Sequence, residues 1–296
     1  MTNLLIVTPM HNEEDNVRAL ADCLKGQSFQ EFEWWAVDDA SDDNTLKLLE
    51  VLQSERRLRF VTKTNDGGLI GGSAYTSWRY GVQAAIDSSR ETPITHVMKL
   101  DADVRLDPDY LSRVIGSFRQ QDVGLAGGVI ASRGMREQNF HVPGPVKLYT
   151  IDAFRLLSVL PSAIGFDVMD EVAIQDQGLR VVVDRQAKFM LSRAIGASEG
   201  GLHGRYRNGR VCRWTGYDNA YFLLHCLRYV FRRPFALGSL WMLVGYARAG
   251  VGPYSQDLRD AHRRMQKAKL REAVGNPVSW WKKAYGTSSP AKDIQV

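Results

Sequence analysis

The sequence predicts an α/β protein: a Rossmann-like, mixed but mostly parallel sheet, followed by a helical extension. Three observations carry this. Short apolar runs alternate with helical stretches of about a dozen residues, the pattern of βαβ units. The 296 residues are 44% apolar and 24% charged, which is ordinary for a globular chain and enough for one large core or two modest ones. Charge is unevenly divided, with 21 basic and 28 acidic residues over 1–200 against 17 and 5 over 201–296. The chain therefore reads as a body over 1–200 and a basic, aromatic-rich helical region over 201–296. Disordered, collagen-like and low-complexity classes are excluded.

LLIVT at 4–8 is a buried strand stopped by Pro9. A polar helix over 12–26 follows, with Asn12 as N-cap, acids in its first turn and Gly26 closing it. EWWAVDDA (33–40) is the second strand, and a helix over 43–57 starts in the Asp-rich turn SDDNT. LRFVTK (58–63) is the third strand. Past the loop NDGGLIGG come a helix over 74–88 and a fourth strand, THVMKLDADV (95–104). Glycines 67–72 in that loop are not followed by Lys-Ser/Thr, so they form no Walker motif and read as a loop beside a nucleotide or a plain turn. A helix over 108–120 and the strand GLAGGVIA (124–131) extend the alternation. A two-proline loop, the segment SAIGFDVMDEVAIQDQG, and the short strands LRVVVD and AKFMLS occupy 139–196. GLHGRYRNGR (201–210) reads as a connector to helices over 217–231 and 234–249, which meet at Arg232-Arg233-Pro234. A basic helix spans 255–273 after Ser255, and the end from Trp280 reads as largely unstructured.

In open α/β sheets, ligands bind beyond the carboxyl ends of the strands. Three such places carry acids: Asp38-Asp39, Asp101 with Asp103, and the segment Asp167–Glu171. Residues i and i+2 of an extended chain share a face, so Asp101 and Asp103 can converge across Ala102. That spacing suits a hard divalent cation, Mn²⁺ or Mg²⁺, which keeps some water and takes further ligands from a substrate's phosphates. A pair of solvated turn aspartates is the plain alternative. The second acidic strand end argues against it.

The runs LIVTPMHNEEDNV, WAVDDASDDNT and VMKLDADVRLDPDYL, in this order, resemble the nucleotide-sugar-binding half of family 2 glycosyltransferases, which have the GT-A (nucleotide-diphospho-sugar transferase) fold. The resemblance covers 1–200. Further on, GRYRNGR, the aromatic helix and RRPFALGSLWMLVGY look like the C-terminal region of a polysaccharide-type subgroup. The resemblance implies that Pro9 and Glu13 line the nucleoside pocket, with Glu13 accepting from ribose hydroxyls. It implies that Asp39 accepts from a ring N–H of the base, which favours UDP or GDP over CDP, and that Lys63 assists at a phosphate. Asp38 reads instead as an Asx-turn or capping acid. Asp101, Ala102 and Asp103 would line the nucleotide-sugar site, Asp103 holding the metal that bridges the diphosphate and Asp101 lying near ribose or metal.

Inverting transfer needs a general base for the acceptor hydroxyl. The family places it in an acidic motif about a dozen residues before a glycine that precedes a strand. Counting back from Gly178 gives Asp167, with Phe166 where the family often has Glu; Asp170 and Glu171, one turn on, are the alternatives. Residues 188–193, KFMLSR, lack the histidine that many relatives carry near there, and His203 lies well beyond.

The apolar run FALGSLWMLVGYA has 13 residues, whereas a spanning helix needs roughly 20. Arg228, Arg232, Arg233 and Pro234 break any longer stretch. Short, aromatic, Arg-flanked helices fit a membrane interface, with Trp280-Trp281-Lys282-Lys283 as a further anchor. Leu258, Ala261, Met265 and Ala268 form a narrow stripe on the basic helix, as on a surface helix facing anionic lipid. Completion of the core by these helices is the alternative. The expected acceptor is lipid-linked or a glycan, its diphosphate gripped by Arg205, Arg207, Arg210 and Arg213. Cys23, Cys212 and Cys226 form no CxxC pair, and the N-terminus has no basic n-region, so the expected location is cytoplasmic, on the inner face of the membrane. No nucleic-acid reader module accompanies the basic stretch. The sequence thus points to an inverting, metal-assisted glycosyltransferase. A nucleotidyltransferase of similar fold and a non-catalytic membrane-binding protein are the competing readings.

Overall fold

The computed structural model describes residues 3–55, 58–63, 72–88, 92–131, 140–193, 201–230 and 236–285. The first half alternates as β1 (Leu4–Met10), α1 (Glu14–Lys25), β2 (Phe32–Asp39), α2 (Thr45–Ser54), β3 (Arg59–Lys63), α3 (Gly72–Asp87) and β4 (His96–Leu100). It continues through β5 (Val104–Leu106), α4 (Tyr110–Gly116), β6 (Val123–Ile130), β7 (Val146–Thr150), α5 (Ile151–Leu156), α6 (Phe166–Asp176) and β8 (Arg180–Leu191). Five helices follow: α7 (Gly201–Trp214), α8 (Asn219–Val230), α9 (Ala236–Arg248), α10 (Gln256–Gly275) and α11 (Pro277–Tyr285).

Among the described residues one sheet carries the strands in the order β3-β2-β1-β4-β7-β6-β8-β5. It is parallel across β3-β2-β1-β4 and between β6 and β8, and antiparallel where β7 and β5 join. Side chains alternate across a strand. Leu4 and Ile6 of β1 therefore enter one core with Leu20, Leu49 and Leu111, while Leu5 and Val7 enter the other with Trp78, Tyr149 and Met169. Burial on both faces is why β1 reads as an unbroken apolar run.

The sequence reading needs correction in five places. The stretch 95–104 is not one strand, because a turn at Asp101–Asp103 separates β4 from β5. LRVVVD and AKFMLS are one strand, β8, whose register against β6 shifts at two points; the irregularity is why its sequence pattern looks like two short strands. Strand β7 was missed, since the buried Lys147 interrupts its apolar pattern. Residues 201–210 are helical despite their glycines. A Cβ on Gly209 would lie 2.0 Å from the carbonyl oxygen of Met242, and one on Gly245 2.0 Å from that of Tyr206. These glycines let α7 and α9 touch backbone to backbone, and that contact offsets their poor helix propensity. Finally, Trp280–Tyr285 belong to α11. The glycine loop before Gly72 and the Arg232-Arg233-Pro234 junction lie outside the described residues.

The apolar stripe of α10 points inward: Leu258 and Ala261 are buried in the second core and Met265 packs against it. Tyr254 fixes the approach to α10, its hydroxyl donating to the carbonyls of Ala163 and Ile164 at 3.2 and 3.0 Å.

Candidate active site

Strand β1 lies between β2 and β4, so the chain's crossovers leave it in opposite directions and open a crevice at its carboxyl end. The ladder with β4 ends at Val7↔Lys99, whereas the ladder with β2 runs on to Met10↔Asp38. Pro9 sits where β1 leaves β4, and its missing N–H costs nothing there. His11 Nδ1 meets the Asp39 carbonyl at 2.9 Å, and the Glu13 amide donates to Thr45 Oγ1 at 2.8 Å. Asn12 does not cap α1. It takes φ 56°, and its side chain accepts from the Asp42 amide at 2.9 Å, tying the loop after β1 to the loop after β2.

Asp39, at the end of β2, is buried. Ser77 on α3 donates to its Oδ2 at 2.9 Å, and Lys63 at the end of β3 lies 3.6 Å from its Oδ1. Lys63 therefore belongs to the Asp39 cluster. Asp38 is equally buried, and its Oδ1 has no hydrogen-bond partner among the described residues. Glu13 is oriented by Asn16, whose amide donates to Oε2 at 2.8 Å, and by an ion pair with Arg193 just past β8. Asn16 in turn accepts from Arg105 and Ser192, both at 2.9 Å.

At the end of β4, the Asp101 amide donates to the Pro145 carbonyl at 2.9 Å, and the Val104 amide returns to the Asp101 carbonyl at 3.3 Å. This is a turn, so the extended-chain argument for Asp101 and Asp103 does not describe it. The two carboxylates nevertheless feel each other. Burial pushes the Asp101 carboxyl up, and the negative charges of Asp103 and Asp167 add to that push while Lys99 opposes it. Lys99 is buried on β4; its ammonium bonds Asp101 Oδ1 and donates to the Gly144 carbonyl at 3.1 Å. Ala102 packs into the core, and the Asp103 carbonyl accepts from Ser192 N at 2.9 Å.

Gly165, at φ 94°, turns the chain into α6 through a conformation that side chains disfavour. Asp167 follows in the first turn, half-buried against Gly144. Asp170 has a different environment. Lys147 Nζ on β7 donates to both of its oxygens at 2.9 Å, and Tyr149 OH donates to Oδ2 at 2.6 Å. Asp170 is fully buried with both oxygens engaged by Lys147 and Tyr149, whereas Asp167, the other candidate base, is half-buried. Lys147 also donates to the Asp167 carbonyl and to Glu171 Oε1, the latter at 3.2 Å. Burial raises the Glu171 carboxyl, but Lys147 and His141 outweigh it and hold it at about 2. His141 Nδ1 lies 3.1 Å from Glu171 Oε1; burial disfavours its charge, yet Glu171 raises its pKa on balance.

Three arginines of α7 lie over aromatic rings, and Arg207, Arg210 and Arg213 follow one another at i, i+3 spacing along one side of the helix. Arg205 stacks on Tyr229 at 4.0 Å and Arg210 on Trp214 at 4.6 Å, while Arg213 lies 5.3 Å from Tyr246. At about 100° per helical residue, Arg205 and Arg207 point to nearly opposite sides. His203 is exposed on the same helix. Among the described residues, no group of three His, Cys, Asp or Glu is arranged to hold a metal ion. The donors at the turn are still of the right kind: hard carboxylate oxygens of Asp101 and Asp103, with the charge of Asp167 nearby, suit a divalent cation that completes its shell with phosphate and water. Sequence reasoning missed Lys99, Lys147 and Ser77. The signal for both lysines was present, since each is a lone cation in an apolar strand (HVMKL and VKLYT).

A sequence model described as glycosyl transferase family 2 matches residues 5–180. No curated protein matches the chain. The mannosyltransferase PcManGT from Pyrobaculum calidifontis, solved with GDP-Man and Mn²⁺, is similar at TM-score 0.58 and 19% identity, over 94% of this chain and 82% of that one. TarS 1–349 from S. aureus in complex with UDP-GlcNAc is similar at TM-score 0.51 and 16% identity, over 96% and 79%. A mycobacterial protein is similar at TM-score 0.52 and 18% identity, over 72% and 74%. At such identities the likeness is one of fold, and the fold is GT-A.

Proposed function

The chain belongs to glycosyl transferase family 2, and from that premise we propose that it moves a sugar, with inversion, from a nucleoside-diphosphate sugar to a hydroxyl of a lipid-linked or polysaccharide acceptor. The observation that carries the reading is that the Asp101–Asp103 turn after β4 and Asp167 in the first turn of α6 meet at one place: Lys99 bonds both Asp101 Oδ1 and the Gly144 carbonyl, and Asp167 lies against Gly144.

The nucleoside occupies the crevice at β1, between Pro9, the Glu13 carboxylate and Asp39. An acceptor at Asp39 suits a base with a ring N–H, which uracil and guanine have, so UDP and GDP sugars are preferred to CDP sugars. Structural neighbours solved with GDP-Man and with UDP-GlcNAc agree with that preference. Asp103, with Asp101, would hold a divalent cation at the diphosphate end of the site. A divalent cation bound there, Mn²⁺ or Mg²⁺, supplies Lewis-acid neutralisation of the charge on the leaving diphosphate. Asp167 takes the proton of the acceptor hydroxyl as its oxygen bonds to the anomeric carbon; the bond from that carbon to the phosphate oxygen breaks on the opposite face, releasing the nucleoside diphosphate. Lys147 keeps the first turn of α6, and so Asp167, in place through its bond to the Asp167 carbonyl.

Calorimetric titration with UDP, GDP and CDP, with and without Mn²⁺, tests the reading. Metal-dependent binding of UDP or GDP that disappears in Asp103→Ala is the expected result. Failure of every nucleotide to bind under every metal condition refutes it.

A further inference from the structure

Helix α9 is built inside out for an aqueous protein. It buries Gly238, Ser239, Met242 and Gly245 and exposes Leu237 (62%), Leu240 (52%) and Trp241 (42%). A helix on a water-facing surface does the opposite, turning its large apolar side chains inward. Its antiparallel neighbour α8 does the same: Phe222 and Cys226 pack inward, while Leu223, Leu224 and Leu227 are each more than half exposed. The two helices are firmly held together. Phe222 stacks on Tyr246 at 4.0 Å between ring centroids, and Ser239 Oγ donates to the Cys226 carbonyl at 2.8 Å. Five leucines and Trp241 thus give the helix pair six large apolar side chains held outward, the kind of surface that marks a membrane or partner contact. Small residues at the helix contact, as at Gly209 and Gly245, with large apolar groups outside, is how helices pack in hydrocarbon.

We propose that the α8–α9 ridge is a lipid-insertion surface that seats the protein in one leaflet of an anionic membrane, independently of glycosyl transfer. Charge selects the occupant. Residues 201–250 contain eight arginines and a single acid, Asp218. A second copy of the chain would set like charges against each other, whereas anionic headgroups complement them. Arg205 and Arg213, stacked on Tyr229 and Tyr246, place cations on aromatic rings of the same two helices, as at a headgroup boundary. Helix α9 has 13 residues, roughly 20 Å at 1.5 Å per residue, against the hydrocarbon thickness of about 30 Å. It lies in the interface and does not cross it; none of the described helices is long and apolar enough to span.

The test is flotation of the full chain with phosphatidylcholine vesicles and with mixed phosphatidylcholine–phosphatidylglycerol vesicles, at low and high salt. The wild type floats with the mixed vesicles and keeps part of that binding at high salt, and brominated phospholipid quenches its tryptophan fluorescence. Leu227→Glu/Leu240→Glu reduces the bound fraction by about tenfold with an unchanged melting temperature, since both sites are solvent-exposed, and Trp241→Phe removes most of the quenching. The proposal is overturned if the wild type stays in solution with both vesicles, if the double variant floats as well as the wild type, or if high salt strips all binding and no quenching occurs. A concentration-dependent dimer that the double variant dissociates, with no vesicle binding, also overturns it and assigns the ridge to a second copy.

Discussion

Lys99 on β4 and Lys147 on β7 are direct partners across an antiparallel ladder, and both ammonium groups are buried. Directly opposed residues share a face of the sheet, where two like charges repel. The arrangement stands because each lysine has its own acids, Asp101 for Lys99 and Asp170 with Glu171 for Lys147. The pair therefore lies between the Asp101–Asp103 turn and the first turn of α6. It couples the two halves of the proposed site through charge.

Lys99 reduces the negative field that a cation would meet at Asp101. Lys99→Met keeps the length of the side chain and removes the charge, so Mn²⁺ binding in the absence of nucleotide should tighten about three- to tenfold. Electron paramagnetic resonance of free Mn²⁺ reads this directly. Unchanged or weaker binding would show that Lys99 orients Asp101 for the metal and does not compete with it.

Asp167 and Asp170 should separate into function and stability. Asp167→Asn is expected to lower turnover by about 10²–10⁴ with little change in urea unfolding, because its carboxylate is half-buried and is not held by Lys147 Nζ. Asp170→Asn leaves the buried Lys147 short of an anion and should cost about 3 kcal/mol or more. If Asp170→Asn unfolds like wild type yet loses turnover, the assignment of the base is reversed.

What could be read from the sequence follows from what local pattern encodes. The strand-end acids were visible because strand, turn and helix alternate locally, and Asp39, Asp101 and Asp103 fall where that alternation puts them. The seal on Asp170 was not visible. It depends on β7 lying beside β4, a pairing between residues 96–100 and 146–150 that no local pattern specifies. Helix α7 was hidden for a related reason: Gly201, Gly204 and Gly209 suggest a connector until α9 arrives to occupy the space at Gly209. The inward stripe of α10 was found, but its partner, α6, could not be told from lipid.

The glycine contact between α7 and α9 gives a sharp packing prediction. A methyl group on Gly209 or Gly245 would meet a backbone carbonyl, which cannot rotate away as a side chain does. Each Gly→Ala change should destabilise by about 1–3 kcal/mol through overpacking, whereas Gly250→Ala, with open space around it, should be nearly neutral. Thermal unfolding of the three variants decides; equal melting temperatures would mean that the helices are not in contact.

His262 makes stability depend on pH in a defined direction. Its Nδ1–H donates to the Thr215 carbonyl at 2.8 Å, and its Nε2 accepts from the Gln266 amide at 2.9 Å, while Gln266 Oε1 accepts from the Asp218 amide at 2.7 Å. Burial pushes the ring's pKa down to about 4, helped by Lys269 and Arg263 and opposed by the Thr215 bond and Glu171. The unfolded ring titrates near its ordinary value of about 6.5. Between these values the unfolded chain binds a proton that the native state refuses, so stability falls as pH falls, by about 3 kcal/mol across the window. His262→Gln cannot titrate, and subtracting its urea-unfolding profile from that of the wild type, from about pH 7 to about pH 4, isolates this term. His225 and His141 shift in both proteins and cancel. Parallel profiles would mean that the His262 ring binds protons in the native state as it does in the unfolded chain, and that the Thr215–His262–Gln266 chain does not hold it neutral.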